Sequence, residues 1–445
     1  MTHVFHRHTQ FAGPYAVDGD GPYLIDHSGK RYLDASGGAC VACLGHSHPD
    51  VQQAMKDQID AFSFAHTGVF TNYPMEELAD HLAARAPGAL DYVYFVSGGS
   101  EAMEAALLMA RQYFVETGRP EKHHIIGRRF GYHGNTIGAL SGSGNMVRRY
   151  CFDPVLLNTS LIDPCFAYRF QEEGESERDY GRRAADALEA EIQRVGPEKV
   201  MAFLAEPVTG STSGGIPAVA GYFKRIREIC DKYDVLLILD EVMCGMGRTG
   251  SYFACEQDGI VPDMVAIAKG LGAGYQPIAA LMVDARIYET FRDTTGFFQH
   301  GLTYQGHAVA CAAALAVQKV IERDRLIERV QQLGRRLRAG LEDQLGAHPH
   351  VGDIRGRGLM IGLELVADRA SKRPFERGTA MHKRIQQAAL ADNLIVFPGP
   401  GTADGLAGDH VLLAPPYICT DVQIDEIAET MARVVATATQ DALAA

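Results

Sequence analysis

The sequence predicts an α/β fold built on a large, mainly parallel β-sheet, with a smaller α+β domain beside it. Short, almost wholly apolar runs recur along residues 92–268, and each leads into a polar or glycine-rich turn and a segment of helical periodicity. That alternation is the pattern of βα units feeding a parallel sheet. From about Leu326 the pattern changes to long, charged amphipathic helices around short strands.

The strand candidates of the large sheet are residues 92–96, 124–127, 200–205, 235–239 and 264–268. The fourth, Val235-Leu-Leu-Ile-Leu239, is purely aliphatic, as a strand buried on both faces must be. Apolar residues at three- and four-residue spacing predict helices over 101–116, 182–195 and 222–233. In the C-terminal part the same reasoning gives helices over 326–345, 379–392 and 422–435 and strands over 359–365 and 411–413. The expected organisation is a large domain over 61–325 and a small domain over 326–445, completed by an N-terminal segment, 1–60.

Net charge and patterning exclude several classes. With 42 basic against 55 acidic residues, the chain carries −13 and has no basic run, so a nucleic-acid partner is not expected. No stretch approaches the ~18 consecutive apolar residues of a membrane span. The first twenty residues lack the apolar core of a secretory signal, and nine scattered cysteines form no disulfide framework. A soluble cytoplasmic enzyme is expected.

Polar residues gather just past the predicted strand ends: Ser97-Gly-Gly-Ser-Glu101, Tyr132-His-Gly134, Glu206-Pro207, Asp240-Glu241 and Lys269-Gly270. In open α/β sheets ligands bind at that edge, so five motifs point to one crevice. The Ser97-Gly98-Gly99-Ser100 turn opens a helix whose first N–H groups suit a phosphate, although a plain Ser-capped helix reads the same. Asp240 ends a strand with no basic neighbour in sequence, and a protonated pyridine nitrogen is a fitting partner for such a carboxylate. A capping or metal-binding acid is the alternative. Lys269 closes the run Met264-Val-Ala-Ile-Ala268, where desolvation favours the neutral, nucleophilic amine. Alone it reads as easily as a lysine reaching from a strand end to water. Asp240 and Lys269, at the ends of successive apolar runs, decide the matter together: one suits a ring nitrogen and the other an aldehyde. Tyr132 offers a flat face, and Thr303 a hydroxyl for a phosphate.

These residues carry a resemblance. The segments YLIDHSGKRYLDASGG, LGHSHPDV, FVSGGSEAMEAALLMAR, GYHG, AEPV, LILDEVMCGMGRTG, AIAKGLGAGYQPIAA, GLTYQGHAVACAAALA and IRGRGLMIGLEL resemble the class III (omega) aminotransferases, enzymes of fold type I that use pyridoxal 5′-phosphate (PLP). The resemblance runs from about Tyr23 to Ile427 and implies a seven-stranded large sheet. It implies that Gly98, Gly99 and Ser100 bind the phosphate, Tyr132 stacks on the ring, and Asp240 pairs with the pyridine nitrogen. His133, Glu206 and Val242 would lie about the cofactor, and Lys269 would hold it as a Schiff base. Thr303 would reach the phosphate of a neighbouring subunit, implying a homodimer with shared sites. The reaction implied is transfer of an amino group from an amine or omega-amino acid to a 2-oxo acid in two alternating half-reactions. Decarboxylation, aminomutation and racemisation use the same scaffold.

The chain departs from the family where many relatives carry a mobile arginine that clamps the substrate carboxylate. No Lys or Arg occurs between Ile385 and Ala432. Bidentate capture of 2-oxoglutarate needs a guanidinium, so pyruvate is the favoured acceptor, or the clamp comes from Arg148 or Arg149. Cys40 and Phe70 are further pocket candidates, with core packing an equal alternative. Three other patterns are set aside. Gly245-Met-Gly-Arg-Thr-Gly250 matches a dinucleotide fingerprint but does not directly follow its strand, which argues against a nicotinamide oxidoreductase. Cys40-Val-Ala-Cys43 lacks a second pair at zinc spacing, and His46-Ser-His48 reads as a loop, so no metal is expected.

Overall fold

Leu236, Leu237, Ile238 and Leu239 are each at most 1% exposed, and they divide between two cores. Leu237 and Leu239 join the core on one side of the sheet, with Phe203, Ala205, Val265 and Ile267. Leu236 and Ile238 join the other, with Ala202, Leu204, Met264 and Ala266. A period of two along a strand places successive side chains on opposite faces, so a wholly apolar strand must be covered twice. At roughly 1.5–3 kcal/mol for each fully buried aliphatic side chain, this packing is a main source of the large sheet's stability.

The computed structural model describes residues 3–10 and 13–443. Three N-terminal strands, β1 (Ala16–Asp20), β2 (Tyr23–Asp26) and β3 (Arg31–Asp34), precede the large sheet. That sheet uses β4 (Tyr92–Val96), β5 (His124–Arg128), β6 (Ser160–Ile162) and β7 (Val200–Ala205). A two-residue pair follows, β8 (Val208–Thr209) and β9 (Ile216–Pro217). The sheet is completed by β10 (Leu236–Asp240), β11 (Met264–Ile267) and β12 (Ala279–Val283). Its order is β4-β12-β11-β10-β7-β5-β6, and β12 alone runs antiparallel to its neighbours. The helices Gly99–Glu116 and Ala285–Asp293 cover one face, and Glu177–Val195 and Tyr222–Tyr233 the other.

The C-terminal part contributes β13 (Val351–Arg357), β14 (Met360–Leu365), β15 (Leu394–Ile395), β16 (Phe397–Pro400) and β17 (Asp409–Leu413). β13, β14, β17 and β16 form an antiparallel sheet, whereas β15 pairs with β3 and so joins the N-terminal strands to the end of the chain. Leu33, Cys43, Leu44 and Val51 share a core with the helices Leu326–Leu345 and Met381–Ala391.

The expected elements are present with displaced ends, whereas β6, β12, β13 and the helices Pro49–Ala61, Tyr73–Ala83 and Ala308–Arg323 are not among those expected. The helix expected from 182 begins at Glu177, because Ser176 accepts the Asp179 N–H as its cap. The terminal helix runs Asp421–Leu443, past the expected 435, since no Gly or Pro interrupts residues 436–443. β11 stops at Ile267 rather than at 268. No helix of the described residues is long and apolar enough to cross a membrane.

Candidate active site

Register sets which side chains emerge together. In the parallel pairs Asp240 faces Ala266 and Leu239 faces Ala205, so Asp240, Glu206 and Lys269 leave neighbouring strands at one edge. β12 runs the other way, and therefore its first residues and the preceding Gln276, Pro277 and Ile278 reach the same edge. A cavity of about 440 Å³ lies there. Gly98, Gly99, Ser100, Tyr132, His133, Glu206, Asp240, Val242 and Lys269 all line it.

The helix Gly99–Glu116 opens at this cavity with Gly98 as its cap residue and no side-chain cap, so the Ser-capped alternative is not what forms. The Ser97 N–H instead donates to Glu101 Oε2 at 2.8 Å. Among the described residues, the N–H groups of Gly99, Ser100 and Glu101 have no acceptor. A helix N-terminus with free donors and favourable dipole is suited to an anion. A Cβ on Gly99 would stand 3.1 Å from both Val242 methyls, so side-chain bulk at that position would crowd the cavity wall.

Lys269 is half-buried and lines the cavity. It opens a short turn, Lys269–Leu271, with φ of 46°, a left-handed conformation uncommon outside glycine. The turn is held by the Gly272 and Ala273 N–H groups, which both donate to the Lys269 carbonyl. No carboxylate of the described residues pairs with the amine. Desolvation pushes its pKa below the ordinary lysine range; Cys40, Asp240 and Glu206 oppose that shift and Arg148 adds to it.

Asp240 is 5% exposed. Its Oδ2 lies 2.9 Å from His133 Nδ1 and its Oδ1 accepts the Val242 N–H at 3.0 Å. Glu206 accepts the backbone N–H groups of Tyr132 at 3.1 Å and Gly210 at 2.7 Å. Burial raises the Glu206 pKa, with His133 opposing and Asp240 reinforcing the rise.

The remaining candidates stand apart from the cavity lining. Cys40 is 2% exposed, in a left-handed turn, and its neighbour Val41 forms the wall. Arg148 sits over the Tyr132 ring, its guanidinium carbon 4.4 Å from the centroid. Phe70 and Thr303 are both exposed, on loops brought together by Phe64 and Tyr304, whose rings are 5.7 Å apart. Sequence reasoning missed Val41, Val208, Met243 and the segment 276–278 as lining; only the antiparallel course of β12 identifies the last.

The Gly245 loop leads into a short turn, Ala254–Asp258, and no helix N-terminus stands behind it to take a pyrophosphate. Arg248, 1% exposed, instead donates from Nη1 to the Leu359 and Pro415 carbonyls and stacks on Tyr417. The loop ties the segment after β10 to the C-terminal part of the chain. Cys40 and Cys43 are both buried and free.

The family model described as aminotransferase class-III matches residues 6–435. The chain belongs to the class-III aminotransferases. An uncharacterized aminotransferase of Schizosaccharomyces pombe is 46% identical over 400 residues, covering 90% of this chain and 87% of its own. Diaminobutyrate–2-oxoglutarate transaminase of Halomonas elongata is 37% identical, with 88% and 83% covered. Taurine–pyruvate aminotransferase of Rhodobacter capsulatus is 36% identical, with 89% and 85% covered. The solved omega transaminase of Pseudomonas jessenii in complex with PMP is similar with a TM-score of 0.92 and 35% identity, covering 99% of this chain and 96% of that one. This aminotransferase is thus a PLP-dependent enzyme with the mixed α/β fold of its class.

Proposed function

We propose that this aminotransferase moves an amino group from an amine or omega-amino acid to a 2-oxo acid, with pyruvate favoured, through PLP held in the cavity at Lys269. The observation that carries the reading is that the unpaired Lys269 amine, Asp240 and the free N–H groups at the start of the helix Gly99–Glu116 share one cavity. Those donors and Ser100 suit a phosphate, Tyr132 suits a ring face, and the Asp240 carboxylate suits a pyridinium nitrogen. Bound there, PLP would serve as the sink for the electron pair left when the substrate carbon loses its proton. Lys269 Nζ, its pKa lowered by burial, takes that proton and returns it, acting as base and then as acid. Glu206, fixed by two backbone donors, holds the loop that carries Tyr132.

Pyruvate is favoured because residues 401–408, between β16 and β17, contain no cationic side chain for a second carboxylate. The taurine–pyruvate relative supports this and the diaminobutyrate–2-oxoglutarate relative opposes it. Exposed Phe70 and Thr303, together with Phe64, Val69 and Tyr304, support a homodimer in which Thr303 serves the partner's phosphate site. The shared core of residues 33–51 with the C-terminal helices supports a small domain made of 1–60 and 326–445 around a 61–325 cofactor domain. Nine free cysteines support a reducing, cytoplasmic location.

The test is a donor screen against pyruvate and 2-oxoglutarate on the purified protein, with carbon dioxide release assayed in parallel. The expected result is a yellow protein whose absorbance amine donors bleach and pyruvate restores faster than 2-oxoglutarate. Lys269→Ala is expected to lose multiple turnover and the borohydride-sensitive absorbance; retention of both would defeat the assignment.

A further inference from the structure

We propose that Arg148 is the anion receptor for the carboxylate of this aminotransferase's acid substrates. Asn145 caps the short helix Met146–Arg149 by accepting the Arg148 N–H, and the two adjacent arginines then diverge. Arg149 spends its Nη1 on the carbonyls of Leu140, Ser141 and Ser143 and its Nε on Asp153. It is a structural arginine.

The Arg148 guanidinium has no hydrogen-bond acceptor and no ion-pair partner among the described residues. It is half-buried over Tyr132, whose ring lines the cavity. Besides Tyr132, the charge that acts on it is another cation, Arg7. It is also close enough to Lys269 to act on the amine there. A partly desolvated guanidinium without a counter-ion is unfavourable, and an arriving carboxylate relieves it with a charge-assisted, bidentate pair.

The loop that offers no cation packs against the same helix. A Cβ at Gly405 would lie 3.3 Å from Met146 Cγ and 3.6 Å from Phe130 Cε1. The 401–408 segment thus meets the helix at Met146, two residues from Arg148, and Arg148 borders the cavity through the Tyr132 ring that lines it. Stacking on Tyr132 fixes the plane of the fork, which a lysine does not reproduce. One unpaired guanidinium there matches a substrate with one carboxylate near its reacting carbon.

This rests on the aminotransferase reading, and the experiment separates the two. Half-reactions are followed in the wild type, Arg148→Met and Arg148→Lys with a donor that has no carboxylate, benzylamine, and with two acids, β-alanine and pyruvate. Arg148→Met is expected to lose at least tenfold in kcat/KM for both acids, mostly through KM, with the benzylamine half-reaction within about twofold of wild type. Arg148→Lys should recover part of the loss. Independently of turnover, propanoate, which can neither donate nor accept an amino group, should raise the melting temperature of the wild type and not of Arg148→Met, and propanamide should raise neither. Equal losses for benzylamine and the acids, or a propanoate response unchanged by the substitution, would overturn the inference. A wild type inactive with every donor would instead remove the reading beneath it.

Discussion

His133 Nδ1 lies 2.9 Å from Asp240 Oδ2, joining the turn after β5 to the end of β10 across 107 residues of sequence. Both side chains are almost fully buried. A carboxylate oxygen accepts, so Nδ1 carries the hydrogen of this contact, and Nε2 is buried with no partner among the described residues. His133 thus contacts the Asp240 carboxylate within the cavity lining, and we propose that it positions that carboxylate.

Removing that contact should affect turnover more than binding. His133→Ala is expected to lower kcat ten- to a hundredfold with a smaller change in KM, and His133→Asn, which keeps an N–H donor, should restore part of it. Asp240→Asn should cost at least a hundredfold, about 2.7 kcal/mol at ~1.36 kcal/mol per decade. Steady-state kinetics with one donor and pyruvate decide this. Equal effects on kcat and KM for the two His133 variants would show that the histidine serves folding alone.

Glu364 is fully buried between Arg169 at 2.5 Å, Arg355 at 2.8 Å and Thr402 Oγ1 at 2.7 Å. Arg355 also donates to the carbonyls of Ser213 and Gly214, so the cluster ties β13 and β14 to the segment after Glu206. Glu364→Gln leaves two arginines without their shared counter-charge, a loss expected to cost about 3–5 kcal/mol. Denaturant unfolding measures it. A loss below about 1 kcal/mol would mean the cluster contributes little.

His410 is fully buried, and burial, aided by Arg355, lowers its pKa from 6.5 to about 4. Between those values the unfolded chain binds the proton and the folded one does not, so stability rises with pH across the window. It is lost as pH falls below 6.5, and the loss levels off below about 4. At ~1.4 kcal/mol per pH unit, the full span is on the order of 3 kcal/mol. Unfolding free energies measured from pH 4 to 7 should show this slope in the wild type and a flatter one in His410→Gln. Parallel slopes would show that other groups set the acid limit.

The middle of the large sheet was legible because β7, β10 and β11 are buried on both faces and so consist of little but Val, Ile, Leu, Met, Phe and Ala. Helix ends were less so, because Ser176 caps its helix six residues before the apolar period becomes clear. Lys269 and Asp240 were legible as charges closing apolar runs. His133 was legible only as part of a turn, since nothing in Tyr132-His-Gly134 says which strand end the imidazole meets.

By itself the sequence determined the layer architecture and the polar residues at the strand ends, because burial on two faces leaves its mark residue by residue. Only the tertiary structure decided which of those residues meet. The parallel register sets Asp240 beside Glu206 and Lys269 beyond Ala266, and the antiparallel β12 brings 276–278 to the same edge. The choice between Arg148 and Arg149 was also left to the fold. Their local sequence is shared, but one guanidinium meets three carbonyls and the other meets the face of Tyr132, and only long-range packing distinguishes them.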